Sequence, residues 1–89
     1  MAGRKQPEAR RSRKGRNAKL RAYYDGVLQR LIAARLEAGL TQRDVSLQMG
    51  MSHSYLNKCE SGERVLDIVE LWELSKIYGK PLSHFAPND

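Results

Sequence analysis

Glycines divide the last two thirds of the chain into segments that have the length of short helices. Each segment carries apolar residues at spacings of three and four, the period of an α-helix, as Leu28, Leu31 and Ile32 do in the first. No segment alternates between apolar and polar residues for long enough to make a strand. The pattern therefore restricts the chain to a bundle of short helices that end at Gly39, Gly50, Gly62 and Gly79.

The start of each later helix is also marked. Thr41, Ser52 and Asp67 are residue types that favour the N-cap position, and Pro81 suits the first turn of a short last helix. We therefore predict an all-α fold of five short helices. The positions expected to face the core are Ile68, Leu71, Trp72, Leu74, Ser75 and Tyr78 in the fourth helix, and Leu82 and Phe85 in the last.

The second and third predicted helices are joined by a turn of three to four residues, Met49 to Ser52, that contains Gly50. Two short helices joined in this way form a helix-turn-helix unit. In such a unit the second helix lies in the major groove of DNA while the first crosses the backbone. The third helix, predicted over about 52–61, is therefore the candidate for reading DNA.

Positive charge is concentrated in residues 1–22, which hold nine of the sixteen Lys and Arg residues and one acid. The remaining seven bases and nine acids leave residues 23–89 with a charge of −2, against +6 for the whole chain. Residues 1–22 have too few apolar side chains to fold, so we expect them to form a disordered basic arm. Residues 23–89 are expected to form the folded helix-turn-helix domain. Such an arm binds phosphates or enters a minor groove, or it is only a solubilising tail. The arm residues expected to contact DNA are Arg10, Arg11, Arg13, Lys14 and Arg16.

Several other classes of protein are disfavoured. A single cysteine, Cys59, excludes an internal disulfide, so we expect a protein of the reducing cytoplasm, and no apolar run is long enough to span a membrane. His53, Cys59 and His84 are types of residue that bind metals, but His53 and Cys59 are six residues apart in one helix and point to different faces. No second cysteine lies nearby, so we expect no metal site. No nucleophile or phosphate-loop motif is present, which argues against an enzyme and against a cofactor.

The stretch from Leu40 to Ser46, the Met49–Ser52 turn and Cys59–Arg64 together resemble the phage-repressor/Cro-type (XRE-type) helix-turn-helix family. The segments 66–71 and 77–79 also match the fourth helix of that family, so the resemblance covers about residues 28–85. It implies a compact five-helix lambda-repressor-like fold that binds DNA. Ser46 and Ser75 stand where the family has alanine, and their hydroxyls need partners such as the carbonyl four residues back.

Four residues of the third helix are candidates for reading bases. Since positions 51, 56 and 59 must face the core, the polar residues between them point outward together, at the positions that the resembling family uses. Asparagine can bind adenine through two hydrogen bonds, and lysine can donate to guanine. These residues are His53, Ser54, Asn57 and Lys58.

Other residues are expected to bind the DNA backbone. Gln42 begins the second helix, where free N–H groups favour phosphate, and the resemblance implies the same role for it and for Thr41 and Ser52. Two exposed arginines are further candidates for phosphate contacts. A tyrosine that is half-packed between helices, with its hydroxyl near the phosphates, is another. The backbone candidates are Thr41, Gln42, Arg43, Ser52, Tyr55 and Arg64.

Arg35 lies on the apolar stripe of the first helix, where an unpaired charge would be expensive. The resembling family often pairs an acid with a base at the positions of Glu60 and Arg35, so we expect a structural ion pair there. The resemblance also implies a homodimer formed through the last two helices. Its expected interface residues are Tyr78, Leu82 and Phe85, which could instead close the core.

The leading hypothesis, with the resemblance, is a bacterial or phage transcriptional regulator, a repressor, that binds a near-palindromic operator in double-stranded DNA as a homodimer. Its expected location is the cytoplasm, at the bacterial nucleoid or in a phage-infected cell. One alternative is an antitoxin-type module whose surface binds a toxin chain and which also binds DNA. A second alternative is an RNA or nucleic-acid binder that is indifferent to sequence and depends on the basic arm. In that last case the four base-reading candidates would be dispensable.

Overall fold

The computed structural model describes residues 13–87, which form four α-helices and one 3₁₀ turn without a strand. The first helix, α1, is much the longest, and the others are short. Their bounds are α1 Arg13–Glu37, α2 Gln42–Gln48, α3 Tyr55–Glu60, α4 Ile68–Tyr78 and the 3₁₀ turn Leu82–Phe85. The last predicted helix is thus a single 3₁₀ turn. Ala86 is extended because it precedes Pro87, and this ends the turn.

The start of α1 differs from the prediction, since residues 13–22 are its first turns and not part of a disordered arm. Alanine, leucine, lysine and arginine favour helix, and adding a residue to an existing helix costs far less than starting one. The segment is therefore helical although its side chains at 17–22 are exposed. Arg10 and Arg11 lie outside the described residues.

The core is formed where α1 crosses the other helices. It contains Leu28, Leu31 and Ala34 of α1 together with residues from each later element. Cys59, Val45, Leu74 and Phe85 have no exposed surface. The remaining core residues are Tyr55, Leu56 and Tyr78.

Two positions of α4 expected in the core are on the surface instead, since Ile68 is 66% and Trp72 48% exposed. Leu74, Ser75 and Tyr78 form the buried stripe of this helix. Ile68 and Trp72 lie to one side of that stripe, because apolar side chains occupy a wider arc of α4 than the core covers.

Two of the three predicted dimer residues lie inside the domain. Phe85 is fully buried and Tyr78 is 6% exposed, so both close the core and neither can face a partner. Leu82 is half-buried.

Among residues 13–87, no helix combines the length and the apolar content that crossing a bilayer requires.

Candidate nucleic-acid interface

The helix-turn-helix unit is built by local hydrogen bonds. Thr41 caps α2, since its hydroxyl accepts from the Asp44 N–H at 3.0 Å while the Asp44 carboxylate accepts from the Thr41 N–H at 3.3 Å. After α2 the chain reverses at Gly50, whose φ of +73° is one that side chains disfavour. The Met51 N–H then donates to the Ser46 carbonyl at 2.9 Å, which fixes the path from α2 into α3.

α3 begins at Tyr55 and not at Ser52, because residues 52–54 form a turn in which the Tyr55 N–H donates to the Ser52 carbonyl at 3.0 Å. Its N-cap residue, Ser54, makes no side-chain cap bond. The α3 helix is shorter than predicted by about one turn.

Ser46 supplies the missing cap from the neighbouring helix. Its buried hydroxyl donates to the Gln42 carbonyl at 2.9 Å and accepts from the Leu56 N–H at 3.0 Å. The bond to the carbonyl four residues back is the one that the sequence suggested, whereas the bond to α3 could not be foreseen. The serine in place of alanine was the only signal of it.

Arg35 and Glu60 form a bidentate ion pair between α1 and the end of α3. The Arg35 Nε donates to Glu60 Oε2 at 2.7 Å and Nη2 donates to Oε1 at 3.1 Å, with side-chain exposures of 10% and 7%. The Arg35 Nη1 also donates to the Leu40 carbonyl at 2.9 Å. One guanidinium thus joins α1, the loop before α2, and α3.

Gln42 extends this network to the exposed face. Its Nε2 donates to Glu60 Oε1 at 2.8 Å, and its Oε1 accepts from Asn57 Nδ2 at 3.3 Å. A chain of hydrogen bonds therefore runs from Arg35 through Glu60 and Gln42 to Asn57. Both ends of the Gln42 amide have partners within the protein, so this side chain positions Asn57, a role that sequence reasoning did not find.

The four base-reading candidates lie at one end of the unit and on its outer side. His53, Asn57 and Lys58 are exposed and Ser54 is half-buried, whereas Tyr55 and its apolar neighbours in α3 face inward. Of the backbone candidates, Thr41, Arg43 and Ser52 are exposed. The turn and both helix starts therefore present polar side chains to solvent.

Tyr55 does not fit its predicted role at the DNA backbone. Its side chain is buried, and its hydroxyl has no hydrogen-bond partner among the described residues and no contact with solvent. Burial raises the pKa of this hydroxyl and also that of the Cys59 thiol, so both stay protonated. Tyr55 is a core residue because the short α3 buries every side chain on its inner face.

Arg64 is also engaged inside the protein. Its guanidinium lies 4.9 Å from the centroid of the Tyr55 ring, and its Nη2 pairs with Glu70 Oε2 at 3.0 Å. The hydrogen bonds from Arg64 and from the Asp67 N–H hold the pKa of Glu70 below its ordinary value. Since 42% of the Arg64 side chain remains exposed, its charge is shared between this pair and solvent.

No three His, Cys, Asp or Glu side chains within residues 13–87 are placed to hold a metal ion.

The family model of a helix-turn-helix domain, HTH_3, matches residues 31–85. No curated protein and no solved structure matches the chain. The matched range contains the whole hydrogen-bonded network from Arg35 to Asn57, and it begins well inside α1.

Proposed function

We propose a DNA-reading role for this chain, which belongs to the XRE-type (Cro/C1-type) helix-turn-helix family and so to a class of DNA-binding regulators. In this proposal α3 reads the major groove of a specific operator. The base-reading residues are His53, Ser54, Asn57 and Lys58. The protein acts as a repressor and binds a near-palindromic site as a homodimer. The observation that carries this proposal is the network that holds Asn57 in place on an exposed face.

Asn57 is suited to adenine by the way it is held. One N–H of its amide is used by Gln42, which leaves the second N–H and the carbonyl oxygen for a partner. Those two groups match the N7 acceptor and the N6 donor of adenine in the major groove. Because the amide is already oriented, less side-chain entropy is lost on binding.

The phosphate contacts come from two places. Thr41, Arg43 and Ser52 are exposed beside α3 and can bind the backbone that flanks the groove. The domain from residue 23 onward is not basic, so the basic segment 1–22 supplies the electrostatic attraction that DNA binding needs. Lys19 and Arg21 of this segment are exposed on the first turns of α1.

A selection from random duplex DNA tests the base-reading proposal. Wild type is compared at about 150 mM salt with Asn57→Ala/Lys58→Ala, and with Gln29→Ala/Lys80→Ala as a control that also removes one amide and one positive charge. We expect wild type and the control to select the same palindromic motif, and the α3 variant to lose it. If all three proteins bind without a motif, α3 does not read bases, and the alternative of sequence-indifferent binding replaces this proposal.

A further inference from the structure

The guanidinium of Arg64 is held by the protein at one end and on one face. Its Nη1 donates to Glu70 Oε1 at 3.1 Å and lies 3.9 Å from the Cys59 Sγ, while its Nη2 lies 3.0 Å from Glu70 Oε2. One face of the group covers the Tyr55 ring, with the guanidinium carbon 4.9 Å from the ring centroid. The guanidinium therefore has a defined orientation although 42% of the side chain is exposed.

The edge of this guanidinium that carries Nε and Nη2 is free to bind a ligand. A guanidinium has five N–H groups in a fixed plane, and only one of the two on Nη2 can point towards Glu70. Within residues 13–87, the Nε of Arg64 makes no hydrogen bond. Arg35 shows what this edge can do, since its Nε and Nη2 hold the two oxygens of Glu60 at 2.7 and 3.1 Å.

The position of Arg64 indicates which ligand this edge would meet. The Arg64 backbone N–H donates to the Lys58 carbonyl at 3.1 Å, so the residue is fixed relative to α3. If α3 enters the major groove, the DNA backbone that borders the groove passes beside it. Two parallel N–H groups on one edge of an arginine match two oxygens of one phosphate. A phosphate of the DNA backbone is therefore the ligand that fits this edge.

Glu70 is the residue that sets the orientation of Arg64. It is the third residue of α4 and is 9% exposed, and its Oε1 also accepts from the Asp67 N–H at 3.0 Å. Because the carboxylate is anchored to the start of α4, it cannot follow the guanidinium when Arg64 rotates. A carboxylate so close also offsets the charge of Arg64, so its benefit to phosphate binding lies in orientation and not in attraction.

We propose that Glu70 is a positioning residue for DNA binding, which holds the Nη1 end of Arg64 so that the Nε and Nη2 edge binds one phosphate through two hydrogen bonds. This inference rests on the proposed DNA-binding function and deepens it. The sequence predicted a backbone contact for Arg64 but no role for Glu70. Since the arginine is oriented before DNA arrives, less side-chain entropy is lost when the phosphate binds.

A double-mutant cycle that leaves the net charge unchanged tests this role. Glu70→Asp keeps a carboxylate that can cap α4 but withdraws it from Arg64 by one methylene. Arg64→Lys keeps the positive charge but replaces the two-pronged edge with a single ammonium. The control, Glu37→Asp, makes the same exchange in the exposed pair of Glu37 with Lys80. Fluorescence anisotropy at about 150 mM salt measures the Kd for duplex DNA, and circular dichroism checks that each variant is folded.

We expect Glu70→Asp and Arg64→Lys each to raise the Kd about tenfold, and the double variant to bind within about twofold of either single variant. Arg64→Gln should lower the slope of log K against log salt by about 0.9, since one phosphate contact is lost. The proposal is overturned by losses that multiply in the double variant, by a Glu70→Asp that binds like Glu37→Asp, or by an unchanged slope.

The same measurements separate this proposal from base reading by α3. Phosphate contacts carry no sequence information, so the cycle can also use a duplex of random sequence. If wild type binds DNA but selects no motif, base reading is contradicted, and the cycle on the random duplex still decides the role of Glu70. If wild type selects a motif and the two losses multiply, base reading stands and the role of Glu70 is contradicted.

Discussion

Arg35 and Glu60 are charged residues that a small core retains because every polar atom they bury has a partner. The carboxylate accepts from the guanidinium and from Gln42, and the third guanidinium nitrogen donates to a backbone carbonyl. A buried pair of this kind adds little stability compared with an apolar pair, but removing one partner leaves an uncompensated charge. The pair therefore determines where α3 can lie.

We expect Arg35→Met to lower the free energy of unfolding by about 3–5 kcal/mol. Lys80→Met is the matched control, because Lys80 pairs with Glu37 at 3.1 Å with side-chain exposures of 27% and 68%. Exposed pairs contribute about 0–1 kcal/mol. Urea unfolding followed by circular dichroism measures both. Losses of similar size would mean that the Arg35 pair is as solvated as the Lys80 pair.

The sequence predicted the role of a single residue where its partners are close in the chain, or where leaving the residue without a partner would cost much free energy. Arg35 was visible because a charge on an apolar stripe requires a partner. Tyr55 was misplaced because the short α3 turns its side chain into the core. The pairing of Arg64 with Glu70 was not predicted because Glu70 comes from the next helix, and the contact of Arg64 with DNA stays a prediction. Gln42 was recognised as important, but its bonds to Glu60 and Asn57 depend on the packing of α2 against α3.

At the scale of elements, the α2–α3 unit is held by one hydroxyl that serves both helices. Ser46→Ala leaves the Leu56 N–H buried without a partner, so we expect a loss of about 1–3 kcal/mol in the free energy of unfolding. Ser75→Ala is the control, since its hydroxyl only donates to the Trp72 carbonyl three residues back in its own helix. We expect that change to be nearly neutral, because alanine favours helix.

Thermal and urea unfolding of the two serine variants decides the matter. If Ser75→Ala costs as much as Ser46→Ala, the bond across to α3 contributes nothing specific. If Ser46→Ala is neutral, α3 does not need the cap that we assign to this hydroxyl.

The starts of α2 and α4 were predicted correctly, whereas the starts of α1 and α3 were not. The Thr41 and Asp67 caps follow from residues within one turn, so the sequence determines them. The first turns of α1 extend the helix beyond the core without burying apolar side chains, so the apolar pattern of the sequence does not show where α1 begins. The exposed arc of α4 was missed because periodicity shows which residues share a face but not how much of that face is covered.

At the scale of the whole molecule, charge is separated from the matched domain. Residues 1–30, which precede the matched range 31–85, carry most of the positive charge. Within them, residues 13–30 belong to α1 and are helical. The specificity and the electrostatic attraction proposed here are thus assigned to different parts of one chain.

Deleting residues 1–22 should make log K depend less steeply on log salt, by about 0.9 for each phosphate that the segment neutralises. Deleting only residues 1–12 should give an intermediate slope, because the charges on the first turns of α1 remain. Fluorescence anisotropy with the selected duplex at several salt concentrations measures each slope. An unchanged slope in both truncations would mean that the basic segment does not lie on the DNA.

The linkage of Asn57 to Gln42 also bears on how target preference could evolve. His53, Ser54 and Lys58 make no side-chain hydrogen bond to any residue in the described range, so mutation there leaves the fold untouched. A new residue at 57 would instead remove the protein partner of Gln42 Oε1, and Gln42 also holds Glu60 through its Nε2. Duplicated copies of the gene should therefore diverge first at 53, 54 and 58, while 42 and 57 change together.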